Sequence, residues 1–153
     1  MGTVKYAHTN IISKDWKKLA AFYVDTFQCK LVPPVRQQSG KWLEKGTGLQ
    51  NAQLEGAHLL LPGHGRSGPT LEIYQYATVA DQPPTAPNLR GFGHIAFEVE
   101  DVDDTLIKVK ENGGQSLGQT TTRQIEGVGT ITFVYARDPD GNVIELQHWQ
   151  ELK

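Results

Sequence analysis

The sequence has little cysteine, no long apolar run and almost no net charge. Its 153 residues include a single cysteine, Cys29, which excludes an intramolecular disulfide framework. There is no run of 18 apolar residues and no signal-peptide pattern, so we expect a cytoplasmic protein without a membrane partner. The formal net charge is −2, with acidic and basic residues interspersed, which gives no electrostatic case for nucleic-acid binding. A small molecule is therefore the expected partner.

Against this background, four potential metal ligands stand out: His8, Glu72, His94 and Glu145. Each lies in a run with strand-like composition, and each half of the sequence contains one histidine and one glutamate. Two imidazoles and two carboxylates can hold Zn, Ni, Co, Mn or Fe while leaving coordination positions open for a substrate. The sequence therefore predicts one divalent metal and a metal-dependent enzyme.

An internal repeat supports this set. Two segments, beginning YAHTNIISKDW and FGHIAFEVEDV, align at an offset of 86 residues (94 − 8). The alignment superposes three pairs of residues: His8 on His94, Asp15 on Asp101, and Leu31 on Leu117. One strand, helix and strand unit thus occurs twice, and each histidine is followed by a glutamate in a later strand-like run.

The repeats are separated by a proline-rich stretch. Residues 77–91 contain Pro83, Pro84 and Pro87 and few apolar side chains, which is typical of a linker. We therefore predict a first module at residues 1–76 and a second at residues 92–153. Each should have the element order βαβββ, which makes the fold class α+β.

Helical spacing of apolar residues predicts one helix in each module. The first begins after Ser13 or Asp15, either of which can cap it, and buries one face of Trp16, Leu19, Tyr23 and Phe27. The second begins after Asp101 or Asp103 and stops at Asn112-Gly113-Gly114.

Period-two alternation predicts where the carboxylates point, because successive strand side chains leave on opposite faces. Glu72 lies opposite Leu71 and Ile73, and Glu145 lies opposite Ile144 and Leu146. His94 is placed inside a strand from Phe92 to Val99. The candidates for lining a substrate pocket are Asn10, Tyr74, Tyr76 and Gln147. The other histidines, which fall outside the repeat pattern and are not predicted to be ligands, are His58, His64 and His148.

The chain resembles the vicinal oxygen chelate superfamily, which includes glyoxalase I, methylmalonyl-CoA epimerase, extradiol dioxygenases and the fosfomycin and bleomycin resistance proteins. The resemblance spans nearly the whole chain and is most specific in KDWKKLAAFYVDTFQCKL, GHIAFEVEDVDDTL and DPDGNVIEL. It implies two tandem βαβββ modules that pair into an incomplete barrel around a metal cleft. The pairing occurs either within one chain or across a homodimer, and family habit favours the homodimer.

The resemblance also implies a reaction. Glyoxalase I and its close relatives use four protein ligands, at the positions matched here by His8, Glu72, His94 and Glu145. This favours a glyoxalase-like lyase or isomerase that transfers a proton on a substrate with adjacent oxygens, with Glu72 or Glu145 as the base.

Two alternatives remain open. One is an extradiol-type dioxygenase using Fe(II) or Mn(II), and the other is a non-catalytic binding protein of the bleomycin-resistance type. Glutathione use is also open, because Ile12 and Tyr76 stand where bacterial glyoxalase I has an arginine and an asparagine that help hold glutathione.

Overall fold

A computed structural model describes residues 2–151. The parts of the predicted modules that fall on Met1, Leu152 and Lys153 lie outside the described residues. The chain divides into two compact units, Met1–Asp81 and Gln82–Lys153. The boundary between them falls inside the predicted linker, and residues 77–94 contain no helix or strand.

The first unit contains four strands and two helices. In chain order these are β1 (His8–Ile12), α1 (Trp16–Phe27), β2 (Lys30–Ser39), α2 (Lys41–Thr47), β3 (Gln53–Leu60) and β4 (Thr70–Tyr76). They form one sheet in the order β1-β4-β3-β2, in which β1 runs parallel to β4 and the other pairs are antiparallel.

Helix α1 covers this sheet because one of its faces is apolar. Its side chains at Leu19, Phe22 and Tyr23 are almost fully buried, and the helix packs on β3 and β4. The Asp15 carboxylate caps the first turn by accepting a hydrogen bond of 3.1 Å from the Lys18 backbone N–H. The predicted helix and one of its two predicted caps are therefore confirmed.

The second unit repeats the pattern with five strands and one helix. In chain order these are β5 (Ile95–Glu98), α3 (Val102–Glu111), β6 (Gln115–Ser116), β7 (Thr121–Ile125), β8 (Gly129–Arg137) and β9 (Val143–Glu151). The sheet order is β5-β9-β8-β6, and β7 also pairs with β8. Asp101 caps α3 at the position equivalent to Asp15, accepting a 2.9 Å hydrogen bond from the Asp104 backbone N–H. The α+β class and the two sheets follow the prediction.

Helix α2 has no counterpart in the second unit, and the sequence did not predict it. It spans only seven residues, and Leu43 is its one buried side chain, so it carries no helical apolar period. Leu43 packs with Ala52, Leu54 and Tyr74 in a small cluster beside β3 and β4.

The predicted strand from Phe92 to Val99 is longer than the observed one. Strand β5 begins at Ile95, so His94 lies one residue before the strand rather than inside it. Gly91 and Gly93 flank the fully exposed Phe92, and the ladder to β9 starts only where Ile95 pairs with Ile144. Glycine weakens the interior of a strand, which accounts for the shorter strand.

Within residues 2–151, no helix is both long enough and apolar enough to cross a membrane.

Candidate metal centre

The first unit brings His8 and Glu72 together on neighbouring parallel strands. His8 opens β1, and Glu72 lies in the middle of β4. The His8 Nε2 atom is 3.7 Å from Glu72 Oε1. The Glu72 side chain is only 10% exposed, whereas that of His8 is 42% exposed. A nearly buried carboxylate thus sits beside an accessible imidazole.

Glu72 also has a polar neighbour on each side within the sheet. Asn10 of β1 and His58 of β3 are the residues in register with it. Asn10 Nδ2 donates to Oε1 at 2.9 Å, and His58 Nε2 lies 2.8 Å from Oε2. Both carboxylate oxygens of Glu72 are therefore engaged, each by a different strand.

The orientation of His58 is set by two hydroxyl groups. Its Nδ1 lies 3.2 Å from Thr70 Oγ1, and its Nε2 lies 3.0 Å from the Tyr74 hydroxyl. The tautomer that satisfies Glu72 carries the proton on Nε2, and Nδ1 then accepts from the Thr70 hydroxyl. This assignment uses both ring nitrogens.

The pKa values of this cluster reflect burial more than charge. Burial lowers the pKa of His58, outweighing the nearby Glu72 charge, which raises it. The pKa of Tyr74 is raised to about 12, first by burial, then by the Glu72 charge and by the hydrogen bond to Glu72. Tyr74 is thus a neutral donor at physiological pH. His58 is favoured in its neutral form.

The second unit brings His94 and Glu145 together. Their closest atoms, His94 Nε2 and Glu145 Oε2, are 2.8 Å apart, and the side chains are 29% and 13% exposed. The residues in register with Glu145 are Ala96 on β5 and Tyr135 on β8. The Tyr135 ring packs against the His94 imidazole, with 4.8 Å between the ring centroids.

The four predicted ligands are thus seen as two His–Glu pairs, one in each unit. Among the described residues 2–151, no group of three or more His, Cys, Asp or Glu side chains is arranged to hold a metal ion. Ligation of one metal by all four residues stays a prediction.

The pocket candidates divide into two groups. Asn10 and Tyr74 contact the Glu72 cluster, as described above. Tyr76 instead packs against the apolar cluster that contains Leu43, and Gln147 Oε1 accepts a 3.4 Å hydrogen bond from Trp149 Nε1. That any of the four residues lines a substrate pocket stays a prediction.

Of the three remaining histidines, His58 is the one the sequence interpretation missed. The repeat predicts no role for His58, because His58 has no counterpart in the second repeat. A signal was nevertheless available, since a β3–β4 hairpin centred on Gly65 places His58 opposite Glu72. His148 contacts the Val99 carbonyl through Nδ1 at 2.9 Å, and His64 is exposed in the loop before β4.

The sequence model of the Glyoxalase/Bleomycin resistance protein/Dioxygenase superfamily matches residues 5–146. This covers nearly all of both units. The chain belongs to that superfamily. The predicted resemblance to the vicinal oxygen chelate group is therefore confirmed.

Curated relatives are distant. A lactoylglutathione lyase of Schizosaccharomyces pombe is 29% identical over 163 residues, covering 100% of this chain and 50% of the yeast protein. This chain thus spans half the length of that relative. The uncharacterised protein YaeR of Escherichia coli is 24% identical over 147 residues, covering 95% of this chain and 97% of YaeR.

Solved structures share the superfamily's fold. A glyoxalase family protein from Bacillus cereus has a TM-score of 0.82 at 21% identity, covering 100% of this chain and 97% of its own. The fosfomycin resistance protein FosX from Listeria monocytogenes, complexed with Mn(II) and sulfate, has a TM-score of 0.55 at 19% identity, covering 98% and 95%. At these identities the similarity shows the fold alone.

Proposed function

We propose that this protein is a metal-dependent lyase or isomerase that moves a proton on a small substrate bearing two adjacent oxygens. The observation that carries the proposal is the His–Glu pair found in both units: His8 with Glu72 and His94 with Glu145. Superfamily membership supports it, as do the lactoylglutathione lyase relative and the Mn(II) complex of FosX.

The donor atoms within each pair are spaced as two ligands of one divalent ion would be. Two donors about 2.1 Å from one transition metal and at right angles lie about 3 Å apart. The 2.8 Å between His94 Nε2 and Glu145 Oε2 is close to that value, and the 3.7 Å between His8 Nε2 and Glu72 Oε1 needs only a small side-chain adjustment. Two carboxylates would also balance the charge of a divalent ion. The ligand set suits Zn, Ni, Co, Mn or Fe.

When bound, a divalent metal would supply a Lewis acid that polarises the adjacent oxygens of the substrate. A carboxylate of this chain, Glu145 or Glu72, would accept the proton as the substrate C–H bond breaks. It would then return the proton to the same or the neighbouring carbon, giving an epimer or an isomer. The low exposure of both glutamates limits the access of water to the transferred proton.

The substrate class extends beyond glutathione adducts. Ile12, at the position of the glyoxalase I arginine, offers no charge, and Tyr76, at the position of the asparagine, packs against the cluster that contains Leu43. Neither residue matches the group that helps hold glutathione. The expected substrates therefore include glutathione-free hydroxycarbonyl compounds.

Two measurements test the proposed function. The protein is purified without chelator and its metal content is determined, and it is then reconstituted separately with Zn, Ni, Co, Mn and Fe(II). Each form is assayed on dicarbonyls with and without glutathione, on epimerisable hydroxycarbonyl compounds and on catechols. Conversion of a hydroxycarbonyl substrate to its epimer or isomer, dependent on the added metal, is expected. Catechol cleavage that requires oxygen and Fe(II) or Mn(II) would instead indicate the dioxygenase alternative.

We also propose that the protein forms a homodimer. Light scattering or sedimentation should give twice the mass of the 16.9 kDa chain, and a monomeric mass would contradict this.

A further inference from the structure

The Glu72 carboxylate has three polar partners in addition to its contact with His8. Asn10 donates a hydrogen bond to Oε1 and His58 contacts Oε2. Tyr74 donates a further hydrogen bond to the carboxylate. Asn10 and His58 lie directly opposite Glu72 on the flanking strands, so their positions are fixed by the ladder of the sheet. The oxygen nearer His8 is Oε1, whereas Oε2 faces His58.

We infer that His58 is the positioning residue of Glu72, holding Oε2 through its Nε2–H so that Oε1 is presented to the metal beside His8. This inference rests on the proposed function, since it assigns a role at the same site. We place His58 outside the ligand set, because its Nε2 is directed at Glu72 Oε2 and its Nδ1 at the Thr70 hydroxyl.

The physical reason lies in the freedom of a carboxylate. A glutamate side chain on a strand can rotate about its terminal bond, and each rotation exchanges the oxygen that faces the ion. A donor fixed on one oxygen removes that freedom before the metal arrives, which lowers the entropic cost of binding. Hydrogen-bond partners of metal ligands typically contribute 10-fold to 100-fold to metal affinity for this reason.

His58 is itself well fixed for this role. Thr70 holds its Nδ1 and the Tyr74 hydroxyl lies at Nε2, so the ring orientation and the tautomer are both specified. The side chain is 18% exposed, and little water competes for the bond to Glu72. Thr70 therefore supports Glu72 through His58.

The test is a set of metal titrations on the full chain. Co(II) affinity is measured by competition with a chromophoric chelator, and the visible spectrum of bound Co(II) reports the ligand arrangement. The variants are His58→Leu, which removes the donor, His58→Gln, whose amide can replace the Nε2 donor, and Thr70→Val, which removes the partner of Nδ1. The matched control is His148→Leu, a half-buried strand histidine bonded to the Val99 carbonyl.

We expect His58→Leu to weaken Co(II) binding by about 10-fold to 100-fold and to shift the Co(II) spectrum. His58→Gln should restore both to within about 3-fold of the natural protein, and Thr70→Val should have a smaller effect of the same kind. His148→Leu should leave both unchanged. If His58→Leu does not fold, the Gln and Val variants carry the same comparison.

Three results would overturn the inference. Unchanged affinity in His58→Leu would show that the histidine only fills space. Equal losses in the Leu and Gln variants would show that the donor is irrelevant. A loss as complete as that of His94→Ala would identify His58 as a ligand. Failure of the proposed function looks different, because the natural protein would then bind no Co(II), and the inference would end with it.

Discussion

The two units present the same His–Glu pair in different surroundings. In the first unit, the residues in register with the glutamate are Asn10 and His58, and both contact it. In the second unit, the equivalent residues are Ala96 and Tyr135. Within the described residues, the polar contact of the Glu145 side chain is with His94 alone.

We propose that this difference gives the two carboxylates different roles. Glu72 has donors on both oxygens and would have to break several hydrogen bonds to move. Glu145 has one contact and can change its orientation at lower cost. We therefore expect Glu72 to act mainly as a fixed ligand and Glu145 to be the carboxylate that exchanges a proton with the substrate.

The largest expected effect concerns the two glutamates. Glu145→Gln keeps the size of the side chain and one oxygen donor but removes its basicity, so kcat should fall by about 10²-fold to 10⁴-fold. Glu72→Gln should mainly weaken metal binding and leave most of kcat when metal is saturating. Steady-state kinetics on the substrate found by the screen, at several metal concentrations, measures both. The reverse pattern would identify Glu72 as the base. Full activity in both variants would favour the dioxygenase and binding alternatives.

The next effect concerns the histidines. His8→Ala and His94→Ala each remove an imidazole donor, and each should weaken metal binding by more than the 10-fold to 100-fold typical of an outer hydrogen-bond partner. Chelator competition measures the affinity, and circular dichroism checks that the variants fold. Loss in one variant with retention in the other would mean that only one of the pairs binds metal.

A third effect tests the close approach of β3 to β4 at Gly56, a position that is occupied by a larger residue in the second unit. A Cβ at Gly56 would lie 2.1 Å from the Ile73 carbonyl oxygen, whereas Phe133 stands at the equivalent place in the second unit. Gly56→Ala should therefore destabilise the protein by about 2 to 4 kcal/mol. Urea unfolding measures this.

The matched control for that variant is Gly46→Ala in α2, where nothing lies within 4 Å of the added Cβ. It should stabilise the protein by about 0.5 to 1 kcal/mol, because alanine favours the helix. Equal unfolding midpoints for the two variants would show that the strands can separate at Gly56 without cost.

The smallest effect is expected from a variant that makes the second unit resemble the first. Ala96→Asn places an amide opposite Glu145, as Asn10 lies opposite Glu72. Metal affinity should rise by about 3-fold to 10-fold, and kcat should fall because the carboxylate is less free to move. Unchanged affinity together with unchanged kcat would contradict the proposed difference in role between Glu72 and Glu145.

Much of the fold could be predicted from the sequence because its signals are local. The caps at Asp15 and Asp101 and the apolar faces behind them define α1 and α3. The two His–Glu pairs also follow from the repeat, because His8 opens a strand and His94 directly precedes one, and each glutamate lies in the neighbouring parallel strand. The arrangement of both pairs around one ion stays a prediction.

The features that were missed depend on contacts between strands. His58 gains its partners only when β3 pairs with β4, and the sequence interpretation weighed the repeat instead of this register. In the second module, the second predicted strand is split into β6 and β7, which pair with different parts of β8. The sequence has no local apolar signal for this split, because both segments are exposed.

We propose that the two His–Glu pairs bind one ion, and metal stoichiometry tests this most directly. The natural protein is saturated with Co(II) or Mn(II), freed of excess metal and analysed for metal and protein content. One ion per chain is expected, because each chain supplies both pairs. Two ions per chain would show that each pair binds separately, and no bound ion would contradict the account.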